Sequence, residues 1–131
     1  MSELYTYERF TPGALLGAWE EPLDPGLAAL WERLFGNQPQ DAPARQAGLA
    51  VALMMRAYLN VVTPRPPGNI HARQVLAVQA LPQAGELVRS SIRCLGKEMR
   101  RDRRYLQLEV SGAGEDGRAL YTGQMNLIWA A

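Results

Sequence analysis

The stretch Ala44–Thr63 reads ARQAGLAVALMMRAYLNVVT, and its reading decides the fold. From Ala44 to Leu59 it is helix-compatible and mostly apolar, interrupted by Arg45, Gln46 and Arg56, with no acidic residue and no histidine. Asp41 is placed to cap its start, and Thr63-Pro64 to stop it, because proline disfavours the helical conformation of the residue before it. A helix apolar on nearly every side has to be surrounded, and the remainder of the chain offers four strand patterns with no second helix between them.

Those patterns run outward from Asn69. Ile70 to Leu81 is the first, closed by the turn Pro82-Gln83-Ala84-Gly85. Leu87 to Leu95 sets Val88, Ile92 and Cys94 against Arg89, Ser91 and Arg93, and Tyr105 to Ser111 separates Leu106, Leu108 and Val110 from Gln107 and Glu109. Glu115-Asp116-Gly117 signals a hairpin. The last strand places Ala119, Tyr121, Met125, Leu127 and Trp129 opposite Thr122, Gln124 and Asn126. One apolar and one polar face suit an antiparallel sheet curved over a helix, an α+β arrangement.

Before the helix, Tyr5 to Phe10 reads as a short strand ending at Thr11-Pro12-Gly13, with Leu15 to Trp19 as its extension. Asp24 and Pro25 open a small amphipathic helix carrying Leu27, Leu30, Trp31 and Leu34, closed by Gly36. Residues 37–43 read as a loop.

A length of 131 residues fits one domain, 1–131, and Pro64 to Gly68 is too short to divide it. Lys and Arg number 14 against 13 Asp and Glu, so no global field draws the chain to nucleic acid or to an anionic membrane. The lone Cys94 has no disulfide partner and fills a strand position. The opening residues lack a basic and an apolar leader region, and the longest apolar run, Ala47 to Met55, is about half a membrane span. A soluble, cytoplasmic protein is the expectation.

A short strand, a small helix ending in Phe35-Gly36, a buried helix and a long antiparallel run match the order of the hot-dog fold. More narrowly, the chain resembles the MaoC-like acyl-thioester dehydratases and hydratases. The residues that carry this are Leu34-Phe35-Gly36-Asn37, at the family's Gly-Asp loop opening, and Ala47-Gly48-Leu49, like the start of its central helix. Pro66 to Ala72, Leu81 to Glu86 and the Asp116-Gly117 hairpin extend it. The resemblance implies a homodimer that binds an acyl-CoA or acyl-carrier thioester in an interface groove, with no cofactor and no metal. There the amino end of the central helix faces the thioester carbonyl, where free N–H groups and the helix dipole favour developing negative charge. Gly48 and Leu49 are the matching substrate-binding positions, with Asn37 at the loop; Gly48 also reads as a close-packing residue.

Hydrating a 2-enoyl thioester needs a base for water and an acid for the α-carbon. The family's hydratases supply an Asp and, five positions on, a His. At those positions this chain has Asn37 and Ala42, which do not titrate in the useful range. Asp41, also readable as a helix cap, and His71, the only histidine, are the replacement candidates for the catalytic pair. Hot-dog thioesterases often use an acid on the central helix, and Ala42 to Asn60 contains none.

Other chemistries lack their residues. One His and one Cys exclude a Cys/His zinc site, no serine sits in a G-x-S-x-G elbow, and Gly112-Ala113-Gly114 has no helix after it to cradle phosphate. Between Arg93 and Arg104 lie six basic residues, of which Arg100 and Arg101 are candidates for the phosphates of coenzyme A or phosphopantetheine, although such a run also reads as a solvated hairpin tip. The reading is thus a MaoC-like hot-dog domain that keeps the groove without the usual dyad, pairing with itself or beside a catalytic hot-dog subunit. The alternatives are a divergent hydratase or dehydratase using His71 and Asp41, a thioesterase, and a purely structural assembly subunit.

Overall fold

The computed structural model describes residues 3–23, 26, 29–30, 32–33, 43–83 and 85–131. Five strands and one long helix carry the architecture: β1 (Leu15–Pro22), α1 (Pro43–Val61), β2 (Ile70–Val78), β3 (Leu87–Arg100), β4 (Arg103–Ala113) and β5 (Ala119–Trp129). They form one antiparallel sheet in the order β1-β3-β4-β5-β2. Leu49, Ala50, Leu53, Met54, Ala57, Tyr58 and Val62 from α1 and its end form the helix side of the core. The alternating residues Val88, Ile92, Cys94, Leu106, Leu108, Val110, Met125 and Leu127 form the sheet side. Period 3.6 meets period 2 across one apolar layer.

Among the described residues the helix is not enclosed on all sides. Arg56, Leu59 and Asn60 are exposed and Val51, Ala52 and Met55 are half-buried, because a single five-stranded sheet covers only one flank. The expected strand at Tyr5–Phe10 is instead a 3-10 turn at Tyr7–Arg9. Its aromatic residues pack over the end of the sheet rather than alternate along it. Phe10 is buried edge-on against Trp129 at 5.2 Å between ring centres, and Trp129 Nε1 donates to the Tyr5 carbonyl at 2.7 Å. The first strand begins at Leu15 and continues past Trp19 to Pro22, which occupies the last position of an edge strand, where a missing N–H is tolerated.

β2 stops at Val78 rather than Leu81, since the Gln79 and Ala80 N–H groups both turn to the Leu120 carbonyl. The ladder slips between Gly112 and Ala113, so that Leu120 and Tyr121 both enter the core and Ala119, expected inside, is exposed. β3 runs on to Arg100 and meets β4 through Arg101-Asp102, whose φ values of 53° and 63° make a two-residue primed turn.

In the small-helix region Gly26, Ala29, Leu30, Glu32 and Arg33 are helical. The expected cap Asp24, its Pro25, and Leu27, Trp31, Leu34 and Gly36 lie outside the described residues, as does Ala84 of the turn before β3. Among the described residues no helix is long and apolar enough to cross a membrane.

Candidate functional site

The positions singled out in the sequence fall at three separate places. At the amino end of α1, Asn37, Asp41 and Ala42 lie outside the described residues. The helix starts at Pro43, so Gly48 stands in its second turn, where an N–H is already engaged in the i→i−4 ladder. Free donors belong to the turn ahead of it. Leu49 is buried, facing Val78, Ala80, Leu81, Leu120 and Tyr121 across a gap of about 10 Å³, so its side chain is a core contact.

His71 occupies the other end of the helix. It pairs with Leu127 across the β2–β5 ladder and shares the helix-facing side of the sheet. With Met55, Tyr58, Arg65, Pro66, Gly68, Asn69 and Leu127 it lines a pocket of about 300 Å³. Met55 stands twelve residues beyond Pro43, about 18 Å along the axis, so within one chain His71 is not brought to the helix's amino end.

The basic run is divided by function. Arg93 donates to the Gly13 carbonyl at 2.9 Å, Lys97 to the Tyr7 carbonyl at 3.1 Å, and Arg104 to the Ala130 carbonyl at 3.3 Å, so these three hold the protein's own loops. Arg100 lies 4.7 Å from the centre of the Tyr105 ring and, with Arg73, Lys97, Glu98 and Gln107, lines an open cleft of about 540 Å³ across β2, β3, β4 and β5. Arg101 sits in the turn, outside that lining.

Sequence reading passed over the buried polar groups. Glu86 is buried and accepts hydrogen bonds from the Gln83 and Glu115 backbone N–H groups, each at 2.9 Å, and from Arg118 at 2.6 Å. Those two backbone bonds, outweighing desolvation and aided by the Arg118 charge, hold its carboxyl below the usual glutamate value. The Tyr121 hydroxyl meets Ser90 Oγ at 2.7 Å inside the core, and burial pushes its pKa up to about 12. Burial also raises the Cys94 thiol and keeps it unreactive. No local motif announces such groups: apart from Gln83, the partners of Glu86 and Tyr121 are 29 to 32 residues away. Among the described residues no cluster of three His, Cys, Asp or Glu could hold a metal ion.

No family model matches the sequence, and no curated protein does. Solved structures do match its shape. The unliganded (R)-hydratase PhaJ1 from Pseudomonas aeruginosa aligns over 96% of this chain and 86% of its own, with a TM-score of 0.72 and 16% identity. A MaoC-like dehydratase from Rhodospirillum rubrum aligns over 95% and 96%, at TM-score 0.69 and 14% identity. A chain of the ChsH1-ChsH2 complex from Mycobacterium tuberculosis aligns over 92% and 98%, at 0.66 and 14%. A helix lying along an antiparallel sheet of order β1-β3-β4-β5-β2 is therefore, in this chain, the hot-dog fold of the MaoC-like dehydratases and (R)-hydratases.

Proposed function

We propose that this hot-dog domain binds an acyl-CoA or acyl-carrier thioester at the amino end of α1 and lacks the acid-base pair for hydrating it alone. The carrying observation is the central helix. It has the position of the hot-dog helix, its first turn holds no acidic residue, and the sequence from Ala42 to Asn60 contains no Asp, Glu or His. Free N–H groups of that first turn polarise a carbonyl without titrating. His71, beside Met55, stands away from the first turn of α1 within one chain.

The working unit is a dimer. β2 is an edge strand whose residues Ile70 to Val75 are all exposed, a free row of backbone donors and acceptors that a second β2 can extend. The partner is either another copy or a catalytic hot-dog subunit, a heteromeric arrangement that the mycobacterial neighbour's complex exemplifies. Arg100, beside its cleft, is the candidate contact for the coenzyme's phosphates, with Arg101 at the adjoining turn.

Thermal unfolding with saturated acyl-CoA and acyl-carrier protein tests the binding, since a ligand of the native state raises the midpoint. A rise with either thioester, together with no hydration of 2-enoyl-CoA and no thioester hydrolysis by the isolated chain, is the expected outcome. An unmoved midpoint with both would sink the binding reading. Hydration abolished by Asp41→Ala would replace it with a divergent hydratase.

A further inference from the structure

The pocket at the carboxyl-terminal half of α1 has a lining that thioester binding does not use. One wall carries hydrogen-bond donors. Asn69 Oδ1 accepts the Ala130 N–H at 2.7 Å, which fixes the orientation of the amide, and its Nδ2 is left buried with no partner. Arg65 Nη1 donates to the Leu59 and Val62 carbonyls at 3.1 and 2.8 Å, holding the guanidinium in place and covering the negative end of the helix. Its carbon lies 5.5 Å from the centre of the Tyr58 ring. The Tyr58 hydroxyl makes no hydrogen bond among the described residues, and its pKa is raised by burial against the opposing pull of Arg65. His71 completes this wall, and no carboxylate lines the pocket. The rest of the lining, Met55, Pro66 and Leu127, is apolar.

We propose that Tyr58, Arg65, Asn69 and His71 form a binding site for a small carboxylate with a short apolar tail. The buried Asn69 donor and the Arg65 cation call for an anionic acceptor, because an unpaired amide N–H in a closed site costs more than one satisfied by a charged oxygen. A bare phosphate would satisfy the donors and leave the apolar wall uncovered, whereas an aliphatic acid covers both. A cavity of about 300 Å³ stands at the small end of ligand sites and suits a short-chain acid. The site is about 18 Å along α1 from its first turn, so it stands or falls independently of thioester binding.

His71 is the only histidine in the chain and therefore gives a single unambiguous ring resonance at the pocket. Titrating the full chain with butanoate, inorganic phosphate and chloride at matched ionic strength should move that resonance saturably with butanoate alone. Asn69→Asp keeps the acceptor for Ala130 and replaces the donor with a negative oxygen, so butanoate affinity should fall by about tenfold or more. Tyr58→Phe, which removes only the hydroxyl, should lower it by about threefold or more. Non-saturating shifts, phosphate binding as tightly as butanoate, or parental affinity in a folded Asn69→Asp protein would each overturn the assignment. If Asn69→Asp does not fold, unchanged affinity in Tyr58→Phe overturns it.

Discussion

The Arg56 guanidinium clasps the Glu21 carboxylate, with Nε 2.9 Å from both oxygens and Nη2 on Oε2, tying the central helix to edge strand β1. Glu21 is 8% exposed, so its charge is stranded if the cation is removed. Arg56→Met should therefore destabilise the fold by about 3 kcal/mol in urea unfolding, while the double variant Glu21→Gln/Arg56→Met should lose appreciably less. Equal losses in the two would show that the carboxylate does not depend on Arg56.

Glu86 joins the turn before β3 to the turn after β4. Its folded pKa lies below the ordinary value of 4.5, so the stability it contributes is complete above that pH and is lost as pH falls through the folded value. Glu86→Gln should flatten the acid limb of the stability profile. An acid limb identical in the variant would remove Glu86 as its source.

Tyr121 titrates in the opposite sense. Its pKa rises from 10.0 to about 12, chiefly by burial, so its contribution is complete below pH 10.0 and is lost as pH climbs to about 12. Absorbance titration of the phenols should show one tyrosine ionising last, and Tyr121→Phe should abolish that step. The same variant leaves Ser90 without its partner and should cost about 1 kcal/mol.

Two glycines on neighbouring strands should respond differently to alanine. A Cβ at Gly112 would fall 2.0 Å from the Tyr121 ring, which the core holds rigidly, whereas one at Gly123 would meet Met54 Sδ at 2.5 Å, the end of a flexible side chain. Gly112→Ala should cost about 3 kcal/mol or more and Gly123→Ala about 1 kcal/mol, read from denaturation midpoints. The reverse ranking would contradict the packing described around Tyr121.

If β2 pairs with a second copy, Ile70→Glu together with Val75→Glu should place like charges along the shared seam and shift the chain to monomer in light scattering. A dimer surviving both substitutions would move the interface elsewhere.

The central helix, the β3–β4–β5 run and their inward residues are legible in the sequence, because periods of 3.6 and 2 are consequences of backbone geometry acting on neighbours in the chain. Tyr5–Phe10 misleads because aromatic residues favour strands only when a pleated surface receives them, and here Phe10 meets Trp129 instead. Leu120 is likewise placed by a slip in the β4–β5 ladder that no local pattern encodes. The amino acids alone thus set the central helix, the β3–β4–β5 run and the absence of an acid on α1. Only the tertiary structure separated His71 from the helix's amino end and gathered Asn69, Arg65 and Tyr58 around one pocket. The physical reason is distance: hydrogen-bond periodicity acts over a few residues, while a site is made by side chains that folding brings together from far along the chain.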